Sequence, residues 1–269
     1  MKTQIYQLTY SAETFEARDK GFLFLDNMEN LRPDWREYWP IRKFLSTQIL
    51  DENSLYGFFS PKFREKTNLS SADCFRFIEQ QSIDTDVVSF SPFFDLGAFF
   101  QNSFYQAMVQ HPNSSKAIVA ALELLMPQSN LADIVMHSGN NIFCNFFVAR
   151  PRFWRVWLSK CEIIWCVAEK KSSWLADELN LTAQRHDSPA AIKTFIIERM
   201  ASLILSTDRS WRVRVFDPMQ LPFSTATISR ERASLIQMDA LKIGYCLIGS
   251  PAYLQAFRLI SESLLKKYC

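Results

Sequence analysis

Glycine is scarce in this sequence, with only six residues among 269. Loops that bind a dinucleotide or a nucleoside triphosphate through backbone N–H groups need closely spaced glycines, as in G-x-G-x-x-G and the P-loop. Neither motif can be assembled from the glycines present: Gly21, Gly57, Gly97, Gly139, Gly244 and Gly249. The sequence therefore argues against a dinucleotide-binding or P-loop enzyme.

A large charge of one sign is also lacking, because 30 basic and 28 acidic residues give a net charge of +2. General nucleic-acid binding needs a strong positive field, so no nucleic-acid partner is expected and any phosphate must be met by local cations. No apolar run approaches the roughly 18 residues of a membrane span, and the N-terminal apolar run is too short for a signal peptide. The six cysteines form no C-x-x-C pair and indicate reduced thiols. We expect a cytoplasmic protein, with peripheral contact at the inner face of a membrane left open.

Apolar and aromatic residues are plentiful. Hydrophobic residues make up 48% of the chain and charged residues 22%, as in an ordinary globular protein. The chain is long enough to bury a substantial core as one domain with a helical extension. The 23 Phe, 7 Trp and 8 Tyr residues fit a thick core, and they also fit a cleft that binds a ring.

Hydrophobic periodicity divides the chain into alternating strands and helices. The strands are predicted at residues 4–9, 22–25, 55–60, 87–91, 142–149 and 211–216. Helical segments are predicted at residues 31–45, 70–81, 96–108, 116–126, 150–167 and 188–206, with two more helices capped by Ser229 and Ser250. Pro40 should limit the first helical segment to short turns or a kink. Ser188 and Pro189 have the form of an N-cap followed by a first-turn proline.

The stretch from His137 to Trp154 places polar groups against a strand-like apolar run, as a pocket wall does. His137, Asn140 and Asn141 stand at the entrance of the predicted strand 142–149, and Asn145 interrupts it. A buried amide must find hydrogen-bond partners. Asn145 therefore either braces a neighbouring loop or faces a polar ligand.

Cations follow the strand at 55–60, where Lys62, Arg64 and Lys66 stand at the predicted mouth of the sheet. Ligands of α/β proteins bind at strand ends, and such a cluster suits a diphosphate, although loop cations are often simply solvated.

His111 and Glu198 can each be interpreted either as a structural group or as a group that contacts a ligand. His111 ends a predicted helix and is either a pocket donor or a group that favours the helix dipole. Glu198 stands beside Arg199 on an apolar helical stripe, so it forms a buried ion pair or faces a ligand cleft.

Three segments carry a resemblance to a known family. They are Trp35-Arg-Glu-Tyr-Trp-Pro-Ile-Arg-Lys43 with Tyr56-Gly-Phe58, then Asn145-Phe-Phe-Val-Ala-Arg-Pro-Arg-Phe-Trp154, then Phe195-Ile-Ile-Glu-Arg-Met-Ala-Ser-Leu203. Their types and order resemble bacterial GT-A-type glycosyltransferases of surface polysaccharide synthesis, which build capsule or the O-antigen of lipopolysaccharide.

The resemblance covers residues 1–216, where it implies an α/β fold with a GT-A-like mixed sheet flanked by helices. The helical pattern itself predicts a C-terminal helical extension over 217–269, packed on that domain. The resemblance also implies a nucleotide-sugar donor and a glycan or lipid-linked glycan acceptor. The family's Asp-x-Asp motif follows a strand, whereas Asp84-Thr-Asp86 precedes one, so no metal ligand is assigned and dependence on manganese or magnesium stays open.

Within this interpretation each polar candidate receives a role. The catalytic candidates are Glu198, Asp95 and His137. The donor-binding candidates are Thr9, Lys62, Lys66, Ser89 and Ser91. The acceptor-binding candidates are His111, Asn140, Asn141, Asn145 and Trp154.

A competing hypothesis is a catalytically degenerate protein of the same fold that acts as a glycan-binding or assembly partner. A hydrolase is disfavoured because the chain has no G-x-S-x-G elbow. The apolar stripe of the last helix would suit packing on the body or a homodimer contact.

Overall fold

The computed structural model describes residues 2–183 and 189–268. Its strands are β1 Thr3–Thr9, β2 Leu23–Asp26, β3 Leu55–Phe59, β4 Val87–Ser89, β5 Phe147–Ala149, β6 Thr182–Ala183, β7 Ala190–Ala191 and β8 Val213–Val215. Its first helices are α1 Ala12–Glu16, α2 Tyr38–Thr47, α3 Phe63–Thr67, α4 Ser71–Glu79, α5 Phe94–Phe99, α6 Ser103–Gln110 and α7 Ser115–Leu125. The later helices are α8 Pro151–Lys170, α9 Trp174–Asn180, α10 Ile192–Glu198, α11 Met200–Thr207, α12 Arg232–Ile248 and α13 Pro251–Tyr268.

Six strands form a mixed sheet in the order β2-β1-β3-β5-β4-β8, in which β5 runs antiparallel to both of its neighbours. The carboxyl ends of the other five strands therefore lie at the same edge of the sheet as the amino end of β5. We call this the carboxyl edge. The predicted mixed α/β sheet flanked by helices is confirmed.

Alternating side chains along the strands build a core on each face of the sheet. Tyr56 and Phe58 of β3 point into the larger cluster, together with residues of α2, α7 and α8. Leu55 and Phe59 point to the opposite face, where they meet residues of α3 and α4. There is no room for a side chain at Gly57, because an added Cβ would lie 2.3 Å from Val148 Cγ1 on β5.

The helix α12 packs on the body of the protein, and α13 packs on α12. Leu235 of α12 is buried in one cluster with Phe94 and Ala98 of α5. Lys242 of α12 is fully buried and donates to the backbone carbonyls of Gly97 and, at 2.8 Å, Phe100. The division at residue 216 stays a prediction, since these contacts join its two sides.

Three predicted elements differ from the structure. The strand predicted at 142–149 shortens to β5, because Cys144 and Asn145 adopt φ values of +60° and +54°, outside the strand region. The helix predicted at 96–108 breaks where the Asn102 side chain accepts from the N–H groups of Phe104 and Tyr105 and caps α6.

The helix predicted at 188–206 forms two helices, α10 and α11, which meet at Arg199. Ser188, its predicted cap, lies outside the described residues. Pro40 does not limit α2, because it stands in the first turn, where an N–H has no partner within the helix. In the described part of the chain, no helix is both long and apolar enough to cross a membrane.

Candidate functional site

Three adjoining cavities form one groove along the carboxyl edge. The inner cavity, about 320 Å³, is lined by Leu8, Tyr10, Asn27, Asn30, Pro33, Arg36 and Glu37. The recess, about 40 Å³, is lined by Glu37, Ile41, Phe58, Ser60, Lys66, Cys144, Asn145 and Glu198. The outer cavity, about 340 Å³, is lined by Lys66, Phe93, Leu96, Gln106, Gln110, His111, Phe143, Cys144, Phe195, Glu198, Arg199, Phe223, Ser224 and Thr225.

Shared side chains connect these cavities. Glu37 lines both the inner cavity and the recess, and Lys66, Cys144 and Glu198 line both the recess and the outer cavity. The recess is therefore the junction of the groove. A larger cavity of about 430 Å³ lies between the segment after β2 and α2, on the other side of Asn27.

The inner cavity is built by the segments that follow β1 and β2. Asn27 donates its N–H to the Thr9 carbonyl at 2.8 Å, which holds the two strand ends together. A 3₁₀ turn at Pro33–Trp35 then leads to Arg36, whose φ of +47° is unusual for a residue with a side chain. This sharp turn brings Arg36 and Glu37 to the groove ahead of α2.

One side of the recess is lined by Lys66 of α3 and by Cys144 and Asn145, which lie just ahead of β5. Lys66 Nζ donates to Cys144 Sγ at 3.3 Å. Asn145 is 9% exposed, and its Oδ1 atom has no hydrogen-bond partner among the described residues. Buried polar atoms in native proteins are nearly always paired, so an unpaired acceptor lining a cavity points to a missing donor.

The charges at the junction influence one another. Burial raises the pKa of Glu37, and the nearby Glu198 carboxylate raises it further. Burial lowers the pKa of Lys66, but Cys144, Glu198 and Glu37 outweigh that effect and raise it overall. Burial raises the pKa of the Cys144 thiol despite the adjacent Lys66. Lys66 thus carries a positive charge at neutral pH.

The outer cavity lies between α6, α10 and the segment that follows β8. The buried Arg199 guanidinium donates to Gln106 Oε1 at 2.6 Å and to the Ser103 carbonyl at 2.7 Å, which fixes α10 against α6. The His111 ring stacks on Phe195 at a centroid distance of 4.0 Å. The remaining wall, residues 223–225, comes from beyond residue 216.

Glu198 ends α10 at the junction of the groove. Its side chain is 40% exposed, and its carboxylate lies 4.0 Å from the Arg199 guanidinium. Glu198 therefore lines the groove, and its contact with Arg199 is not the buried ion pair considered from the sequence, because the Glu198 side chain is not buried. An ion pair anchors α10, because Lys193 Nζ lies 2.6 Å from Asp34 Oδ2, in the 3₁₀ turn that precedes Glu37.

Four residues proposed from the sequence meet in the groove. Lys66, Asn145 and Glu198 line the recess, and His111 lines the outer cavity with Lys66 and Glu198. Lys66 follows β3 and Asn145 precedes β5 at the carboxyl edge, whereas Glu198 and His111 lie at the C-terminal ends of α10 and α6.

The other two catalytic candidates lie outside the groove. Asp95 is fully buried, and its carboxylate accepts hydrogen bonds from the Ser224 N–H at 2.9 Å and from the Ser224 hydroxyl. His137 accepts from the Gly139 N–H at 3.0 Å, and burial lowers its pKa. Both side chains are thereby placed as braces of loops.

The remaining donor-binding candidates also lie away from the cavities of the groove. Thr9 is buried at the end of β1, and its hydroxyl points to the Leu25 carbonyl. Lys62 is exposed. Ser89 Oγ accepts from the Ser91 N–H at 3.3 Å, and Ser91 Oγ accepts from the Phe143 N–H at 2.8 Å.

The remaining acceptor-binding candidates have partners within the protein. Asn140 Oδ1 accepts from the His137 N–H at 2.8 Å, and Asn141 Oδ1 accepts from Ser202 Oγ at 3.2 Å. Trp154 is 1% exposed and donates from Nε1 to the Tyr56 carbonyl at 2.9 Å, so it offers no free ring face for stacking.

The acidic pair at Asp84 and Asp86 lies at the opposite edge of the sheet, before β4. Asp86 is buried and accepts from Arg152 Nε at 2.8 Å and from the Arg212 N–H at 3.0 Å. Asp84 pairs with the Arg212 guanidinium at 2.7 Å. Within residues 2–183 and 189–268, no cluster of three His, Cys, Asp or Glu side chains has the arrangement of a metal site.

Sequence reasoning missed several residues of the groove, above all Arg36 and Glu37. They stand between Trp35 and Tyr38, in a segment interpreted as an aromatic helix. A charged pair inside an aromatic run was the available signal. Cys144, Tyr10 and Asn27 carried no comparable signal.

The chain was compared with protein-family models, with curated proteins and with solved structures. No protein-family model matches the chain, and no curated protein matches it significantly. Among solved structures, it is similar to the apo structure of WbbM, a bifunctional glycosyltransferase, with a TM-score of 0.45 and 14% identity. The likeness covers 84% of this chain and 46% of the WbbM chain, so the present chain spans about half the length of that one. A likeness this distant says nothing of the chemistry of the groove.

Proposed function

We propose that this protein is a glycosyltransferase that moves a sugar from a nucleotide-sugar donor to a hydroxyl of a glycan acceptor in bacterial surface polysaccharide synthesis. The observation that carries the proposal is the divided groove. Two cavities of about 320 and 340 Å³ meet at one recess that holds a cation and two carboxyl groups. Each is large enough for a small ligand, and group transfer between two ligands needs such a shared junction.

The inner cavity is the proposed nucleotide site. It lies at the ends of parallel strands, where α/β proteins bind nucleotides. Tyr10 offers an aromatic ring that is 41% exposed, and Asn27 and Asn30 offer amides that can read the polar edge of a base. In this arrangement the diphosphate extends toward Arg36 and Lys66.

Lys66 and Arg36 are the proposed electrostatic partners of the leaving group. Negative charge grows on the nucleoside diphosphate as the bond from the anomeric carbon to the phosphate oxygen breaks. Lys66 stands at the junction, so its ammonium is placed to stabilise that charge. A divalent ion carried by the donor would neutralise the same charge, so the binding experiment includes manganese.

Glu198 is the proposed general base. Its carboxylate lines the outer cavity, where the acceptor hydroxyl would lie, and it is 40% exposed. It takes the hydroxyl proton as the acceptor oxygen bonds to the anomeric carbon, and the electron pair of the broken bond leaves with the diphosphate. His111, Gln106 and Gln110 supply polar contacts for the acceptor. We place this reaction in the cytoplasm.

The test begins with binding. A thermal-shift panel of UDP, GDP and dTDP and their hexose conjugates, with and without manganese, should raise the melting temperature for one base. The absence of any shift would refute the nucleotide-sugar proposal. The nucleotide sugar that binds is then used to measure release of nucleoside diphosphate, with water as the acceptor.

Glu198→Gln should lower that release by about 10²- to 10⁴-fold, the range for loss of a general base, while leaving the thermal shift intact. Glu65→Gln is the matched control, because Glu65 is exposed on α3 next to Lys66 and lines none of the three cavities. Equal turnover in folded Glu198→Gln would remove Glu198 from this role. Donor binding without turnover in the unmodified protein would support the glycan-binding or assembly partner instead.

A further inference from the structure

The recess at the junction contains a polar group that the protein itself leaves unpaired. Asn145 lines the recess and is 9% exposed, and its Oδ1 atom is buried and lacks a hydrogen-bond donor among the described residues. The backbone carbonyl of Asn145 does have a partner, because it accepts a hydrogen bond from the Phe147 N–H at 2.9 Å. The orphan acceptor is thus confined to the side chain and faces the recess.

The backbone holds this side chain in an uncommon conformation. Cys144 and Asn145 have successive φ values of +60° and +54°. Non-glycine residues adopt this region rarely, and they cluster there at ligand-binding sites. The turn places Asn145 at the recess, and it delays the start of the strand predicted at 142–149 until Phe147.

The charges around the recess limit what it can hold. Two carboxyl groups, Glu37 and Glu198, face one cation, Lys66. A sugar carboxylate inside the recess would lie against Glu37 and Glu198, and an ammonium group would lie against Lys66, so a neutral substituent of the sugar fits best. A hydroxyl group can donate to Asn145 Oδ1 and accept from Lys66 Nζ at the same time.

The size of the recess limits the group further. Its volume of about 40 Å³ compares with roughly 10–15 Å³ for one water on the same scale, so it has room for about three heavy atoms. A whole sugar ring cannot enter. Ile41 and Phe58 give the recess an apolar wall beside its polar groups.

We propose that the recess binds the hydroxymethyl group of the transferred sugar and selects hexoses over their 6-deoxy analogues. The methylene contacts Ile41 and Phe58, the hydroxyl donates to Asn145 Oδ1, and the hydroxyl oxygen accepts from Lys66. This rests on the proposed function, because it requires a sugar at the junction. It adds the substrate class, a hexose with a free 6-hydroxyl.

The experiment compares three ligands by calorimetry: the nucleoside diphosphate selected by the thermal-shift panel, its hexose conjugate, and the 6-deoxyhexose conjugate of the same configuration. The unmodified protein should bind the hexose conjugate at least tenfold more tightly than the 6-deoxy conjugate, since the analogue leaves Asn145 unpaired. Asn145→Gly should reduce this ratio to less than about twofold and leave the affinity for the nucleoside diphosphate unchanged. Glycine is chosen because it accepts the positive φ of Asn145 without strain.

Asn68→Gly is the matched control. Asn68 also has a positive φ, +59°, but it is exposed and ends α3 outside the groove, so this substitution should preserve the tenfold preference. Equal affinity of the unmodified protein for both sugar conjugates would overturn the hydroxymethyl proposal and leave the glycosyltransferase proposal standing. Failure to bind any nucleotide would instead overturn the proposed function.

Discussion

The ion pair between Asp34 and Lys193 should respond very unequally to loss of its two members. Lys193 has a side chain only 2% exposed, whereas the side chain of Asp34 is 42% exposed. Removing the carboxylate with Asp34→Ala leaves a buried ammonium with Asn180 Oδ1 at 2.7 Å and the Trp35 ring as neighbours, and with the Glu169 carboxylate as a longer-range partner. An uncompensated buried charge costs about 3–5 kcal/mol, so this variant should lose most of that amount.

Lys193→Met should cost less. Methionine keeps the packing of the aliphatic stem, and Asp34 keeps two hydrogen bonds from Arg32, both at 3.0 Å. The loss is then the charge-assisted hydrogen bonds of Lys193, about 1.5–3 kcal/mol, partly offset because an ammonium no longer has to be buried. We expect a net loss of about 1–2 kcal/mol.

Urea unfolding of both single variants and of the double variant measures these free energies. The double variant should be more stable than Asp34→Ala alone, because it removes the stranded charge. Asp84→Ala is the control, since its pair with Arg212 is more than 60% exposed on both sides and should contribute less than about 1 kcal/mol. A Lys193→Met variant as unstable as Asp34→Ala would refute the reasoning.

Two further predictions concern pH. Burial and Glu198 raise the pKa of Glu37, so the folded protein binds the Glu37 proton more tightly than the unfolded chain does, and the free energy of unfolding falls as pH rises above about 4.5. Glu37→Gln should therefore unfold at a higher temperature than the unmodified protein at pH 8 but not at pH 4, and an equal difference at both pH values would contradict the raised pKa. Burial lowers the pKa of Lys242 to about 8 from an ordinary value of 10.5, so the unfolded chain binds more protons between these values and stability rises across this window. Relative to Lys242→Met, urea unfolding should show a gain of up to about 3 kcal/mol from pH 8 to 10.5, at 1.36 kcal/mol per pKa unit; parallel pH profiles would contradict it.

The fold follows from the sequence where local signals and burial agree. The strands at β1, β3 and β8 alternate or carry apolar residues throughout, and the Ser70–Asp73 capping box begins α4 as predicted. The failures occur where a side chain redirects the backbone. Asn102 ends one helix and starts another, and Cys144 and Asn145 leave the strand region, although both stretches keep the expected hydrophobic pattern.

The site was predictable only in part, for a related reason. Lys66 and Glu198 were found because a charge at a strand end or on an apolar stripe is visible in one segment of sequence. In the sequence, Asp95 and Asn141 are as plausible as Lys66 and Glu198. In the structure, their side chains accept hydrogen bonds from Ser224 and Ser202, respectively. Whether a polar side chain has a partner depends on residues more than fifty positions away, which periodicity does not report.

The contact between Ser224 and Asp95 affects how the two halves of the groove can diversify. The inner cavity is built by residues 8–37, whereas one wall of the outer cavity is a short loop after β8 that Asp95 ties to α5. Substitutions, insertions or deletions in that loop can therefore reshape one end of the groove without touching the other. Under the proposed function, changes confined to this surface loop would alter the acceptor site and leave the donor site as it is.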